Sequence, residues 1–342
     1  MLKNKKTILI SGSLVYDRIM DFPGKFADHI MPDKIHILNV AFAVNGLKES
    51  FGGTAGNIAY NLALLGEKPT ILSTVGHDFS PYKKWLLKNK IDVSRVKIVK
   101  ARKMASCYII TDKADNQITG FHADALNEES FEKEKISQNL TPSFSFVRRR
   151  EGLKSPYAPF VKGGIFAIIS PGNIKDMENY ARFYKKVGIK YIFDPGQAIT
   201  ALKPNVLKAS IKGAEALIGN DYEVSLLSKK TGWTTKDLID KVNILIITKG
   251  AAGSVIYNKK KACEITAVKL KKIIDPTGAG DAYRAGFIKG MIQGWDAKKC
   301  GQLASVVASF AVEKYGTQEH KFSNKDIKNR YRANYKESFK IL

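Results

Sequence analysis

The sequence predicts one large α/β fold built on a mostly parallel sheet, because apolar strand-like runs alternate with helical patterns along its 342 residues. The runs are apolar throughout, which is typical of strands covered by helices on both faces. A hydrophobic content of 44% is sufficient for a large core. The predicted strands are residues 7–14, 69–76, 165–172, 190–196, 216–220 and 244–250.

Two helices are predicted from their apolar spacing. In the stretch "TAGNIAYNLALLG", Ile58, Leu62 and Leu65 recur at helical intervals and Gly66 provides a stop signal. An apolar stripe over residues 300–315 predicts a second, buried helix of four turns.

Two β-rich segments interrupt the alternation of predicted strands and helices. They are residues 36–44 and residues 105–122, and the second is predicted to be a hairpin that turns at Lys113–Asp115. A small separate sheet that covers a cleft accounts for both segments, and such covers exclude water from a reaction. The expected division is a small β lid over 14–53 and 101–124, with a large catalytic α/β domain formed by 1–13, 54–100 and 125–342.

The net charge of +24 and the pI near 9.7 raise the question of a nucleic-acid partner. Lysines are spread along the whole chain, and the only dense arginine run is at 148–150. No helix-turn-helix, zinc-finger or RNA-binding pattern accompanies them. A solvated basic surface without a specific nucleic-acid partner is therefore expected, with 147–164 as a surface loop.

Location is inferred from what the chain lacks. No run of 18 apolar residues occurs, and the N-terminal apolar stretch has no small-residue cleavage site, so we expect a cytoplasmic protein with no membrane partner. Cys107, Cys263 and Cys300 lie far apart, which argues against disulfides and a zinc site.

The stretch "KIIDPTGAGDAYRAGF" contains the clearest chemical pattern. It predicts a strand-like run, a glycine-rich turn and a helix, so that the backbone N–H groups of Gly278, Ala279 and Gly280 form an anion hole at the helix N-terminus. Asp281 would lie in the first helical turn, where a carboxylate is favoured and can accept a proton. An ordinary helix start is the alternative.

Four motifs resemble those of the ribokinase-like carbohydrate and nucleoside kinases, the PfkB family. "DPTGAGDAYRAGF" resembles the family's C-terminal D-T-x-G-A-G-D pattern, and "FGGTAGNIAYNLALLG" resembles its N-terminal glycine-pair motif. "IGNDYE" and "ITKGAAGSVIY" resemble the N-x-x-E and T-x-G-x-x-G elements. The resemblance covers most of the chain and implies a ribokinase-like three-layer α/β/α domain with a small β-sheet lid.

The resemblance implies transfer of the ATP γ-phosphoryl group to a primary hydroxyl, with Asp281 as the base and the three turn amides holding the phosphoryl charge. Positioning and charge stabilisation carry most of the rate of such reactions. It also implies that Glu223 organises Mg²⁺ through water. The implied ATP site is Asn220, Glu223, Thr248, Gly250 and Gly253. For Asn220 and Glu223, a helix cap is the alternative.

Asp275 is the candidate ligand of a monovalent cation such as K⁺, as the resemblance implies. The alternative is an ordinary carboxylate at a strand end.

The stretches "SGSLVYDRIMDFPGKF" and "LNVAFAV" resemble the bacterial adenosine kinases and archaeal nucleoside kinases of the family more than its sugar kinases. By that resemblance Asp17 accepts hydrogen bonds from a ribose diol, since a carboxylate offers two acceptor oxygens. The alternative is a surface turn residue. Gly52 and Gly53 would let the backbone approach the sugar, and Asn57 would donate to a ring hydroxyl.

Phe42 and Phe121, on the predicted lid strands, are candidates to stack on a base, with packing inside the lid as the alternative. The stretch "FHADAL" departs from the adenosine-type pattern and puts a purine preference in doubt.

The hypothesis is an ATP-dependent nucleoside kinase that phosphorylates the 5′-hydroxyl, with adenosine as first choice and purine salvage as its role. A sugar kinase of the same family is the alternative, followed by a non-catalytic nucleic-acid-binding protein. The expected assembly is a monomer or a homodimer.

Overall fold

The computed structural model describes residues 7–114, 116–132, 164–258 and 261–337. Asp115 of the predicted hairpin turn and all but the last residue of the predicted surface loop lie outside the described residues.

The main sheet has eight strands in the order β14-β13-β12-β11-β10-β9-β1-β4, as the sequence predicts for a mostly parallel sheet. Six strands, from β12 to β4, are mutually parallel, and β13 and β14 form an antiparallel hairpin at one edge. The strands are β1 Thr7–Ser11, β4 Pro69–Leu72, β9 Ile165–Ile169, β10 Lys190–Phe193, β11 Ala216–Asn220, β12 Ile244–Thr248, β13 Ser254–Asn258 and β14 Lys261–Ile265.

Helices cover both faces of this sheet, which explains its continuously apolar strands. Within the described ranges the α-helices are α1 Thr54–Leu64, α2 Ser80–Lys88, α3 Ile174–Val187, α4 Pro204–Gly213, α5 Asp221–Thr231, α6 Thr235–Lys241, α7 Ala279–Ile292, α8 Ala297–Ala311 and α9 Asn324–Tyr335. In β1, Ile8 and Ile10 pack with α1, α2, α7 and α8, whereas Leu9 faces the opposite core with α3 to α6. The result is a three-layer α/β/α domain.

A second sheet has four strands in the order β3-β2-β7-β8. They are β2 Val15–Asp21, β3 Asn45–Gly52, β7 Ala105–Thr111 and β8 Gln117–His122. The β7–β8 pair is the antiparallel hairpin that the sequence predicts. The strands β5 Thr74–Gly76 and β6 Lys97–Val99 form a third, two-stranded sheet. Short 3₁₀ helices span Phe26–Asp28, Pro32–Ile37, Asp124–Asn127, Gly196–Thr200 and Gly250–Ala252.

The prediction of a strand over residues 36–44 is wrong. This stretch contains the end of a 3₁₀ helix followed by irregular backbone, and strand β3 of the second sheet begins only at Asn45. Phe42 is therefore not on a strand. Its ring packs against Phe22 and Phe26, each with 4.9 Å between centroids, so local aromatic packing competes with the β-propensity of this segment.

Three other boundaries also differ from the prediction. The run 69–76 is divided, because its last three residues pair with β6 in a different sheet. The described residues directly before Asp275 do not form the predicted strand. The side chains of Ile273 and Ile274 are exposed, so their apolar character does not mark a buried strand here. Helix α8 ends at Ala311, so Tyr315 lies beyond it.

Close packing of α7 on α8 fixes the start of α7. A Cβ on Gly286 would lie 2.6 Å from the Cα of Ala304, and one on Gly290 would lie 2.8 Å from the sulfur of Cys300. These two small residues, four positions apart, therefore bring the two helix backbones together.

Gly286→Ala should lower the free energy of unfolding by about 1–3 kcal/mol, because the new methyl group meets backbone atoms of α8 that cannot move independently. Chemical denaturation measures the change. Gly120→Ala is the matched control, since its Cβ would have no neighbour within 4 Å. Equal stability of the two variants would contradict the close-packing argument.

Candidate active site

The candidate site lies at the carboxyl ends of the parallel strands, where ligands bind in open α/β sheets. Gly278 is the N-cap of α7 and has a φ of +77°, a left-handed conformation that favours glycine. The N–H of Ala279 donates to the carbonyl of Pro276 at 3.2 Å. The N–H groups of Gly278 and Gly280 have no partner within the described part of the chain, so these two amides are available to an anion.

Asp281 occupies the first turn of α7, as predicted. The amide nitrogen Nδ2 of Asn57, on α1, donates to its Oδ2 at 2.9 Å. Burial raises the pKa of Asp281 to about 6, an effect opposed by the charge of Arg284 and the bond from Asn57. A carboxyl group with this pKa is ionised at neutral pH and is a better proton acceptor than an ordinary aspartate.

Asp17 lies on β2 and is only 7% exposed. Its Oδ2 would be 1.8 Å from a Cβ on Gly52, so only glycine at this position of β3 leaves room for the carboxylate. Burial raises the pKa of Asp17 to about 7, and the negative charges of Asp281 and Asp275 add to the shift. The second sheet and the N-terminal end of α7 thus bring carboxylates that are distant in sequence into one electrostatic cluster.

Gly53 connects β3 to α1 with a φ of +88°. A Cβ here would lie 2.5 Å from the carbonyl oxygen of Ser13, which follows β1. The glycine pair therefore lets the start of α1 lie close to β2 of the second sheet and to the residues that follow β1 of the main sheet.

Arg284 is the main functional candidate that the motif reading missed. It lies one turn after Asp281, is 9% exposed, and forms a bidentate ion pair with Asp194, which is 1% exposed and follows β10. Its Nη1 has no hydrogen bond to the described residues and lies 2.7 Å from where a Cβ on Gly280 would be. A permanent positive charge thus lies next to Gly280, one of the two residues with a free amide. An arginine inside an otherwise apolar helical run was the sequence signal.

The residues of the implied ATP site lie together at the ends of β11 and β12. Asn220 and Glu223 form a capping box at the start of α5, with bonds of 2.7 and 2.8 Å between backbone N–H groups and side-chain oxygens. Thr248 is the register partner of Asn220. Gly250 and Gly253 adopt left-handed φ values in the turn between β12 and β13. Burial raises the pKa of Glu223, and the charge of Asp194 contributes.

Asp275 is buried and ties two loops together. Its Oδ1 accepts from the N–H of Thr277 and its Oδ2 from the N–H of Gly316, both at 2.9 Å. These bonds anchor the turn before α7 to the segment after α8.

A pocket of about 380 Å³ lies between the second sheet and this turn. Its walls include Ile19, Asp21 and Thr111 from β2 and β7, and Pro276 and Tyr315 from the main domain. Asp17, Ile19 and Asp21 are every second residue along β2, so their side chains lie on the same face of the sheet. Phe42 and Phe121 do not line this pocket, and Phe121 is 55% exposed on β8.

A family model described as the pfkB family carbohydrate kinase matches residues 15–324. The chain belongs to the pfkB family of carbohydrate kinases. A nucleoside kinase of Methanocaldococcus jannaschii is 32% identical over 290 residues, which cover 82% of this chain and 85% of that protein.

Solved structures extend the likeness of this pfkB-family kinase over nearly its whole length. The nucleoside kinase of Burkholderia thailandensis in complex with inosine matches with a TM-score of 0.82 and 31% identity, covering 97% of this chain and 99% of that chain. The ribokinase of Thermotoga maritima matches with a TM-score of 0.72 at 17% identity, covering 95% and 99% of the two chains, which supports the ribokinase-like fold. The family and fold identify a phosphotransferase with a hydroxyl acceptor.

None of the helices in the described part of this pfkB-family kinase is long and apolar enough to cross a membrane.

Asp194→Asn should lower both stability and turnover, because it leaves the buried charge of Arg284 uncompensated next to the free amide of Gly280. Breaking a buried ion pair costs about 3–5 kcal/mol. Glu67→Gln is the matched control, since Glu67 pairs at 2.6 Å with Lys289, also buried on α7. Denaturation and kinase assays on both variants check this. Stability should fall in both, and turnover per folded molecule only in Asp194→Asn. Equal turnover would show that Arg284 serves only the fold.

Proposed function

We propose that the chain is an ATP-dependent nucleoside kinase that phosphorylates the 5′-hydroxyl of a ribonucleoside, with adenosine as the first candidate. The observation that carries the proposal is the buried carboxylate of Asp17 against Gly52, next to the pocket and in electrostatic contact with Asp281. A vicinal diol offers two donors to such a carboxylate. Relatives named as nucleoside kinases support the same acceptor class.

The two substrates are assigned to different parts of the chain, each built around one of the two sheets. We assign residues 14–53 and 101–124 to a lid that holds the acceptor, and 1–13, 54–100 and 125–342 to the domain that holds ATP. Asp17, Gly52, Gly53 and Asn57 would contact the ribose, and the pocket of about 380 Å³ beyond Asp17 would take the base. Phe121 would close over the base only if the lid moves, and Phe42 supports the lid through its aromatic neighbours.

Asp281 takes the hydroxyl proton as the acceptor oxygen attacks the γ-phosphorus, the bond between that phosphorus and the β–γ bridging oxygen breaks, and ADP leaves with the bridging oxygen. The free amides of Gly278 and Gly280, with Arg284 next to Gly280, stabilise the charge on the transferred group. The amide of Ala279 joins them only if its 3.2 Å bond to Pro276 opens. Asn220, Glu223, Thr248, Gly250 and Gly253 are assigned to ATP. A complex of the Burkholderia enzyme with ADP and inosine supports ATP as the donor.

The residues fit a magnesium ion that is held mainly by phosphates and water. No group of three or more histidine, cysteine or acidic residues in the described part of the chain forms a metal cluster. Glu223 uses Oε2 in the capping box, which leaves Oε1 to accept from a metal-bound water. Magnesium would neutralise phosphate charge.

Asp275 fits a K⁺ site less directly. Both of its oxygens already accept backbone N–H groups, so a cation there would share them.

Asp281→Asn should lower turnover about a hundredfold or more while ATP and acceptor still bind, because the amide cannot accept a proton. In the wild type, turnover should fall as the pH drops through about 6, where Asp281 becomes protonated. The variant should lack this acid limb. Asp326→Asn is the matched control, since Asp326 occupies the same first-turn position of α9. A coupled kinase assay from pH 5 to 9 measures the turnover of the wild type and both variants. Wild-type turnover in Asp281→Asn would show that another group is the base.

Asp17→Ala should reduce discrimination between adenosine and 2′-deoxyadenosine. In the wild type the deoxy analogue leaves a buried carboxylate oxygen without its donor, so kcat/KM should fall at least about tenfold. Glu49→Gln, on the opposite face of the same sheet, is the control. The assay is formation of 5′-monophosphate from each nucleoside, beside ribose and fructose. Turnover confined to the free sugars would favour the sugar-kinase alternative.

A further inference from the structure

Gln318 lies at the centre of a buried polar network behind the proposed base. It follows α8 and is 3% exposed. Its Oε1 accepts from the indole Nε1 of Trp85 at 2.9 Å. Its Nε2 donates to Oδ1 of Asn57 at 3.0 Å and to the hydroxyl of Tyr82 at 2.6 Å. Every polar atom of this side chain is therefore used.

Trp85 determines which way the Gln318 amide faces. An indole N–H can only donate, so the atom that meets it must be the oxygen of Gln318. The NH₂ group of Gln318 consequently points to Asn57 and Tyr82. The hydroxyl of Tyr82, which accepts from Gln318, donates to the carbonyl of Gly52 at 2.9 Å.

The orientation of Gln318 in turn sets that of Asn57. Because Oδ1 of Asn57 accepts from Gln318, its Nδ2 must face Asp281, where it donates to Oδ2 at 2.9 Å. The flipped amide would set two acceptor oxygens against each other. Oδ1 of Asp281 has no partner in the described ranges, so it is the oxygen left to receive a proton.

We propose that Gln318 is a positioning residue for phosphoryl transfer, which fixes through Asn57 the carboxylate oxygen of Asp281 that accepts the proton. The same side chain orients the Gly52 carbonyl, beside Asp17, through Tyr82. The proposal rests on the proposed function, because it takes Asp281 as the base. No motif in the sequence marks Gln318 for this role.

The charged groups that face Asp281 belong to four elements. They are Arg284 on its own helix, Glu223 at the start of α5, Asp194 after β10 and Asp17 on β2. None of them has a hydrogen bond to Gln318 among the described residues, so a neutral change that frees the Gln318 amide acts on Asp281 through Asn57, whereas a charge at position 318 would also act through space.

Gln318→Glu tests the relay, by which we mean the hydrogen bonds that run from Trp85 through Gln318 and Asn57 to Asp281. A carboxylate at position 318 can accept from Trp85 but cannot donate to Asn57. Asn57 should then flip toward Glu, and its Oδ1 would favour protonated Asp281. The acid limb of the kcat–pH profile should rise by about one pH unit or more, with recovery of turnover at alkaline pH. KM for ATP and nucleoside should change little. An unchanged acid limb with wild-type kcat would overturn the proposal.

Gln302→Glu is the matched control, since Gln302 is also 3% exposed and accepts from Tyr331 on α9 at 2.6 Å. It should leave the acid limb in place. Trp85→Phe retains an aromatic ring but frees the Gln318 amide to rotate, so kcat should fall about threefold to tenfold without a matching change in KM. This second variant tests the relay if Gln318→Glu does not fold, and wild-type kcat in Trp85→Phe would contradict it.

A readout independent of catalysis separates the two proposals. Carboxyl ¹³C NMR of aspartate-labelled protein, with the Asp281 signal assigned through Asp281→Asn, follows the titration of Asp281 directly. A shifted titration of Asp281 in Trp85→Phe, which adds no charge, supports the orienting role of Gln318 even if another group proves to be the base. If the titration of Asp281 does not shift and Asp281→Asn is inactive, Asp281 would remain the proposed base, and the proposal that Gln318 positions it would be rejected.

Discussion

The hydrogen bond between Asn57 and Asp281 is the contact on which the arrangement of the site depends. It joins the first turns of α1 and α7, which lie 224 positions apart along the chain. Helix α1 begins directly after the glycine pair of β3, and α7 begins at the glycine-rich turn. One bond of 2.9 Å therefore sets the spacing between the sheet that would hold the acceptor and the helix that would hold the base.

Rigidity around this bond comes from close backbone packing. Gly286 and Gly290 bring α7 against α8, so the N-terminus of α7 has little freedom to shift. Asp275 joins the turn before α7 to the segment after α8, and Gln318 extends that segment to α1 and α2. Catalysis by positioning needs such support, because a small displacement of a reacting group is costly.

The electrostatics of the site contrast with those of the whole chain. A protein with a net charge of +24 concentrates Asp17, Asp275, Asp281, Asp194 and Glu223 around one cleft. Burial, together with the charges of neighbouring carboxylates, raises the pKa values of Asp17 and Asp281, and the charge of Arg284 opposes the shift at Asp281. The overall positive field would still attract anionic nucleotide from a distance, while the local carboxylates select a hydroxyl-bearing acceptor.

The sequence by itself determined the fold class, the parallel strands and the helix start at Gly278, because continuous apolar runs and a glycine-rich turn are local signals. It also indicated Asp17, Asn57 and Asp281 as candidates. It failed for residues 36–44, where aromatic packing around Phe42 outweighed β-propensity. Only the tertiary structure decided that Asp194 pairs with Arg284 and that Gln318 orients Asn57. Those contacts join residues far apart in the chain, and the direction of a buried amide depends on partners that no local pattern reveals.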